Sequence, residues 1–222
     1  MRSSEADHAA VSAAVAAAEA RSDGEIVTVV APRSDSYHDV ALHWAVLAML
    51  GMLALLAAFP SVAERGWALV DPWATRSPTG GLLAVALVLT TATFLLARLV
   101  LAWMPLRLAL TPGSTKARRV RRRAVELFRV AADRRTQART GVLLYLSLAE
   151  RRAEIVADEA IHARVAPEVW GEAMAVLLAA TQGGRPGEGM AAAVERIGAV
   201  LAEHFPRSAG DVNELPDRLI EL

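Results

Sequence analysis

Two apolar runs, Val40–Phe59 and Gly80–Trp103, occupy the middle of this 222-residue chain, with polar sequence on either side. About 20 helical residues at ~1.5 Å rise cover the ~30 Å of hydrocarbon in a bilayer, so each run is long enough to span one. The first holds no Asp, Glu, Lys or Arg, and the second holds only Arg98, near its end. A helix buried in a soluble core seldom needs so many apolar residues in succession. Transmembrane helices are therefore expected over about residues 40–59 and 80–103, within a hairpin of residues 40–104.

Formal net charge is zero, but the charges are unevenly placed. Eleven basic residues lie between Pro105 and Arg139, opposed only by Glu126 and Asp133. Five of them, Arg118, Arg119, Arg121, Arg122 and Arg123, are nearly consecutive. The segment Pro60–Thr79 between the runs is balanced, with Arg65 and Arg76 against Glu64 and Asp71. Basic residues collect on the cytoplasmic side of membrane spans, so both termini are expected in the cytoplasm and the short loop outside. Trp44 and Trp103 then fall near the inner interface, and Trp67 and Trp73 near the outer one. Met1–Val30 lacks a basic start followed by an apolar run, so no cleaved signal peptide is expected. The absence of cysteine excludes thiolate metal sites, redox pairs and a cysteine nucleophile.

The flanking sequence reads as α/β. Ser4 and Asp7 have capping-box spacing before an alanine-rich helix that should end near Arg21, with Val11, Val15 and Ala18 on one face. Asp23-Gly24 marks a turn, and Glu25–Ala31 is a β-branched run suited to a strand buried on both faces. After the second span, Val120, Ala124, Leu127, Phe128 and Ala131 give an amphipathic helix running to about Thr136. Gly141–Leu148 and Ala153–Asp158 form an antiparallel hairpin. Helices follow over about Pro167–Thr181 and Gly189–His204. The first helix and strand have no partners within residues 1–39. They are expected to join the sheet of residues 141–158, so that the hairpin is an insertion into one discontinuous domain of residues 1–39 and 112–222.

The carboxy-terminal part resembles the TPM domain family, through Thr140–Ser147, Arg152–Asp158, Trp170, the Gly184–Gly189 segment, Ala202-Glu203-His204-Phe205-Pro206 and Asn213-Glu214-Leu215-Pro216-Asp217. The amino-terminal Ala18-Glu19 and Gly24–Val30 are similar to the family's first helix and strand. The resemblance covers roughly residues 5–39 and 112–220. It implies an α/β/α sandwich with a small mixed sheet, split here by the two-helix hairpin. It also implies acid phosphatase activity or divalent-metal binding in some members, and assembly or repair of membrane complexes in others. The bacterial inner membrane is the expected location, and another membrane protein the expected partner.

Asp158, Glu159, Asp211, Asn213, Glu214 and Asp217 are the candidate ligands for Ca²⁺ or Mg²⁺, hard cations that take several oxygen donors. Asp158 ends a strand, and Asn213-Glu214 can fold back over it. The simpler reading is that Asp158 caps the following turn. Gly183–Gly189 invites comparison with a phosphate loop, but it lacks the Gly-Lys-Ser/Thr ending and reads as a linker. The histidines (His8, His38, His43, His162, His204) show no ligand spacing. Arg98 is placed to snorkel to the inner interface. The cluster Arg118, Arg119, Arg121, Arg122 and Arg123 should contact anionic lipid headgroups, each basic residue contributing about 1 kcal/mol. Without interleaved aromatics it is not expected to bind nucleic acid. The leading expectation is a non-catalytic interaction or quality-control module; the alternative is a divalent-metal-dependent acid phosphatase.

Overall fold

The computed structural model describes residues 4–131, 140–208 and 219–222. In chain order its elements are α1 (Glu5–Glu19), β1 (Glu25–Ala31), α2 (His38–Ala58), α3 (Pro60–Val70), α4 (Thr79–Val100), α5 (Met104–Ala109), α6 (Gly113–Ala131), β2 (Gly141–Ser147), β3 (Arg152–Ala157), α7 (Glu159–His162), α8 (Gly171–Gln182), α9 (Pro186–His204) and β4 (Leu219–Glu221). A 3-10 turn, Pro167–Trp170, precedes α8. The chain divides into two compact units, Met1–Asp35 with Gly113–Leu222, and Ser36–Pro112.

The first unit is mixed α/β around a sheet of order β3-β2-β1-β4. β1 runs parallel to β2, with Glu25 opposite Gly141, and parallel to β4, with Val29 opposite Ile220. β2 and β3 are antiparallel, as the hairpin spacing predicts. Alternate strand residues serve two cores. Ile26, Val30, Val142, Leu144 and Leu146 pack with α1, α8 and α9, while Val27, Val29, Leu143 and Tyr145 pack against Val120, Ala124 and Phe128 of α6. Every residue of β1 and β2 is buried, because helices cover both faces, and this is why neither strand alternates in sequence.

Local chemistry sets the helix ends. Ser4 and Asp7 form the reciprocal capping box, with the Asp7 N–H donating to Ser4 Oγ (3.1 Å) and the Ser4 N–H to Asp7 Oδ2 (2.8 Å). α1 ends at Glu19, whose buried carboxylate accepts the Ile26 N–H (2.8 Å) and so fixes the turn into β1. α9 starts at Pro186, three residues before the sequence estimate, since proline suits the first helical turn. Close helix packing relies on small residues. A Cβ on Gly198 would collide with Ala18 of α1, and one on Gly189 would lie 2.6 Å from the Ala180 Cβ of α8.

The second unit holds α2 and α4, both of mean hydropathy 2.2 and both long and apolar enough to cross a membrane. Protein packing buries only 17% and 11% of their apolar windows. The Thr90 and Thr93 hydroxyls donate to the carbonyls of Ala86 and Leu89 (both 2.8 Å), so neither polar group is left without a partner inside α4. Residues 60–70, expected as loop, form α3. It packs on α4 where Gly66 meets Val85 and Gly81 meets Trp67. Arg107 of α5 is buried and donates to the carbonyls of Ser36 (2.5 Å) and Leu101 (2.9 Å). The chain segment entering α2 therefore lies beside the one leaving α4, and the two helices form an antiparallel hairpin.

Candidate functional site

Asp158 follows β3 and is 8% exposed. Its Oδ2 accepts the Gly141 N–H (2.8 Å), and its own N–H donates to the Gly141 carbonyl (3.0 Å). The side chain extends the β2–β3 ladder by one rung, whereas the capping expectation had it closing the next turn. α7 does begin there, but on main-chain bonds from Ile161 and His162 to the Asp158 carbonyl (both 3.1 Å), with no side-chain cap. Glu159 is exposed in the first turn of α7. Asp211, Asn213, Glu214 and Asp217 lie outside the described residues. Among the described residues, no three of His, Cys, Asp or Glu gather in a group that would hold a metal ion.

The arginine cluster is drawn into the protein more than its sequence suggests. Arg119, 17% exposed, places Nη1 2.8 Å from Asp35 Oδ2, and Arg122 approaches the same oxygen at 3.8 Å. Arg122 and Arg123 also reach Glu126 (3.6 and 3.5 Å), and Arg121 reaches Glu154 (3.5 Å). The exposed pairs contribute little, about 0–1 kcal/mol each, while Arg119–Asp35 is partly shielded from water. Asp35 is the last residue before the chain leaves this unit, and α6 begins where it returns. The arginines thus hold the two crossing points together. Nothing in the sequence pairs Asp35 with Arg119 at this separation.

A buried polar network sits at the carboxyl ends of β1 and β2. Ser34 Oγ and the Tyr145 hydroxyl are 3.0 Å apart, the Ser34 N–H donates to Glu150 Oε1 (2.9 Å), and the Ser147 hydroxyl donates to Glu150. Burial pushes the Tyr145 hydroxyl above its ordinary range, with the Ser34 hydrogen bond opposing it. Ser147 has no exposed surface, so no substrate reaches its Oγ, and the network serves to fix the chain's exit from β1. Beside it, a cleft of about 420 Å³ is lined by Pro32, Leu148, Arg151, Thr181, Gly184 and Pro186. The Gly183–Gly189 segment accordingly lies beside the strand ends without following a strand. The expected linker is short, since Pro186 already begins α9.

A second cleft of about 420 Å³ follows the outer edge of β3, between Arg121 of α6 and the segment carrying His162, Trp170 and Met174. Glu154 and Ile155 of β3 form its floor. Burial raises the Glu154 carboxyl above its ordinary range, and Arg121 and Arg152 pull in the opposite direction. Trp170 is 6% exposed, and its Nε1–H has no hydrogen-bond partner among the described residues. An unpaired buried donor costs about 1–3 kcal/mol, so this one is unusual in a folded chain. Sequence patterning placed Trp170 on the inner face of a helix. The cleft itself depends on three segments meeting, which no local motif announces.

No family model matches the chain, and no curated protein matches it. The fold is similar to a solved structure, the NMR structure of BA42 protein from the psychrophilic bacterium Bizionia argentinensis, at a TM-score of 0.55. That match has 15% sequence identity and covers 99% of this chain and 94% of the other. At this identity the likeness concerns the arrangement of elements alone.

Proposed function

We propose that this chain is a membrane-anchored TPM-like interaction module. α2 and α4 cross the bacterial inner membrane, and the α/β domain lies on the cytoplasmic side, where it engages another membrane protein during assembly or quality control. The exposed part of the arginine face of α6 contacts anionic headgroups. The observation that carries the reading is the contrast in burial: in the second unit two helices of mean hydropathy 2.2 remain largely uncovered by protein, whereas in the first unit the strands β1 and β2 are covered on both faces. Uncovered apolar surface on this scale needs a lipid solvent.

The orientation rests on the charge asymmetry, with Arg118, Arg119, Arg121, Arg122 and Arg123 following the second span within about 20 residues. The metal-dependent phosphatase reading receives no support from the described residues. Asp158 already accepts a main-chain hydrogen bond, and among the described residues no group of His, Asp or Glu gathers that would hold a metal ion.

The test is site-specific photocrosslinking in native membranes, with reporter fusions at the carboxy terminus and between Asp71 and Thr79. A discrete protein adduct, a cytoplasmic carboxy terminus and an exported loop are expected. Extraction of the chain by alkaline carbonate, or a carboxy terminus that reports as exported, would sink the anchoring or the orientation respectively. Absence of any protein adduct would sink the interaction reading.

A further inference from the structure

We propose that α3 is an interfacial helix. It lies in the boundary layer of the leaflet where α2 ends and α4 begins, with Leu69, Val70 and Trp73 in contact with lipid. The inference rests on the reading of α2 and α4 as spans, and it makes the connection between them a lipid-binding surface in its own right.

The patterning of α3 is that of an amphipathic helix. Val62, Ala63, Gly66, Leu69 and Val70 recur at helical spacing and form one apolar arc with Trp67, while Ser61, Glu64, Arg65 and Ala68 fill the other. Protein covers only part of the apolar arc. Ala63 is buried, and Gly66 and Trp67 meet Val85 and Gly81 of α4 so closely that an added Cβ on either glycine would lie 2.6 Å from the neighbouring side chain. Leu69 and Val70 remain 86% and 69% exposed. Trp73, 92% exposed, follows in a turn closed by its N–H bond to Asp71 Oδ1 (3.2 Å). Of the two tryptophans expected at this interface, Trp73 presents its ring to the surroundings, whereas Trp67 packs on Gly81 with its Nε1 buried.

Depth decides what covers the rest of the arc. α4 has 22 residues, about 33 Å of helix, close to the ~30 Å of hydrocarbon it would cross. Thr79, its first residue, therefore stands near the hydrocarbon boundary, and Val85 lies about 9 Å further in. A helix seated on Gly81 and Val85 is held within the depth of about 5–10 Å that interfacial helices occupy. The medium around the exposed Leu83 and Leu87 of α4 then also reaches Leu69. Nor can α3 leave that depth on a linker, since α2 ends at Ala58 and Pro60 already begins α3. Charge supplies the lipid preference. Glu64 and Asp71 balance Arg65 and Arg76, so the contact draws on apolar burial and not on anionic headgroups.

The chain has no cysteine, so single cysteines carry nitroxide labels without background. The experiment places the full chain in lipid nanodiscs, labelled at Glu64→Cys, Leu69→Cys, Trp73→Cys or Val88→Cys. Depth is read from accessibility to oxygen and to a water-soluble nickel chelate. Leu69→Cys is expected about 5–10 Å below the phosphates, Trp73→Cys near their level, Glu64→Cys in water and Val88→Cys deepest. Replacing part of the zwitterionic lipid with anionic lipid should leave these depths unchanged, and a depth that follows lipid charge overturns the apolar contact. A Leu69→Cys label as open to the chelate as Glu64→Cys, with Val88→Cys still deep, overturns the interfacial helix and leaves the spans standing. A Val88→Cys label in water overturns the spans themselves. In native membranes a photocrosslinker at position 69 should yield lipid adducts. A discrete protein adduct there, to another protein or to a second copy of the chain, overturns lipid as the occupant.

Discussion

β1 and α4 are both strongly apolar, yet they end in opposite surroundings. β1 is seven residues long, and helices on both faces bury all of it. α4 has 22 residues, of which only Gly81, Val85 and Thr90 are buried, while Leu83, Leu87 and Leu99 are 66%, 67% and 72% exposed. Hydropathy alone does not separate the two cases. Length does, because a run three times longer than a strand exceeds what a domain of this size can wrap. The same side-chain chemistry therefore marks a core in one unit and an uncovered apolar surface in the other.

That comparison can be broken at matched leucines. Leu144→Ala, at a position with no exposure, should cost about 2–5 kcal/mol of domain stability. Leu87→Ala should leave domain stability within about 0.5 kcal/mol, as surface substitutions do. Equal losses in urea unfolding of the two variants would show that α4 is packed in protein after all. Leu87→Arg sharpens the point, since a charge near the centre of a span costs about 2.5–3.5 kcal/mol on insertion. The expected result is a reduced membrane-inserted fraction, measured by carbonate extraction, and unchanged insertion would remove α4 as a span.

Asp158→Asn comes next. It trades a charged acceptor for a neutral one beneath the Gly141 N–H and should cost about 1–2 kcal/mol. Millimolar Ca²⁺ or Mg²⁺ is expected to leave that difference unchanged in thermal melts. A saturable shift in the parent chain, absent in the variant, would revive the metal reading.

The smallest effects follow pH. The Asp7 carboxyl is lowered by its hydrogen bonds from the Ser4 main chain and hydroxyl. Its contribution is present above the unfolded value of 3.8 and is lost as pH falls through the lower folded value. Ser4→Ala should therefore cost about 1 kcal/mol at neutral pH and less in acid. Glu154 has the opposite sign. Its folded value lies above 4.5, so its favourable contribution is complete below 4.5 and is lost as pH rises through the folded value. Glu154→Gln should raise the melting temperature at pH 7 and do nothing at pH 4. A gain at both pH values would mean that shape, not ionisation, governs that position.

Much of the fold was legible in the sequence because the signals were long or local. The two long apolar helices are placed to within a few residues, and the capping box at Ser4 and the hairpin at 141–158 fold as their patterns require. The missed elements are short or ambiguous. α3 falls within the short loop expected between the two apolar runs. α7 has four residues and β4 three, too few for a period to show. The candidate site was far less legible. Asp35 with Arg119 and Asp158 with Gly141 are pairings made by the sheet and by the return of the chain. A single sequence shows residue types and leaves such partners unspecified.

β1 lies between two parallel neighbours, β2 and β4, and both are encoded after the α2–α4 hairpin. At about 5–20 residues per second, a ribosome that has released Glu25 needs on the order of ten seconds to reach Gly141. For that interval a largely apolar strand has no sheet to join, while α2 and α4 are being made. Synthesis thus imposes a sequence of events, with both long apolar helices made first and closure of the sheet afterwards. A chain whose hairpin is misplaced would strand α1 and β1 away from β2. A completed sheet therefore reports that synthesis has passed the whole stretch from α2 to α6.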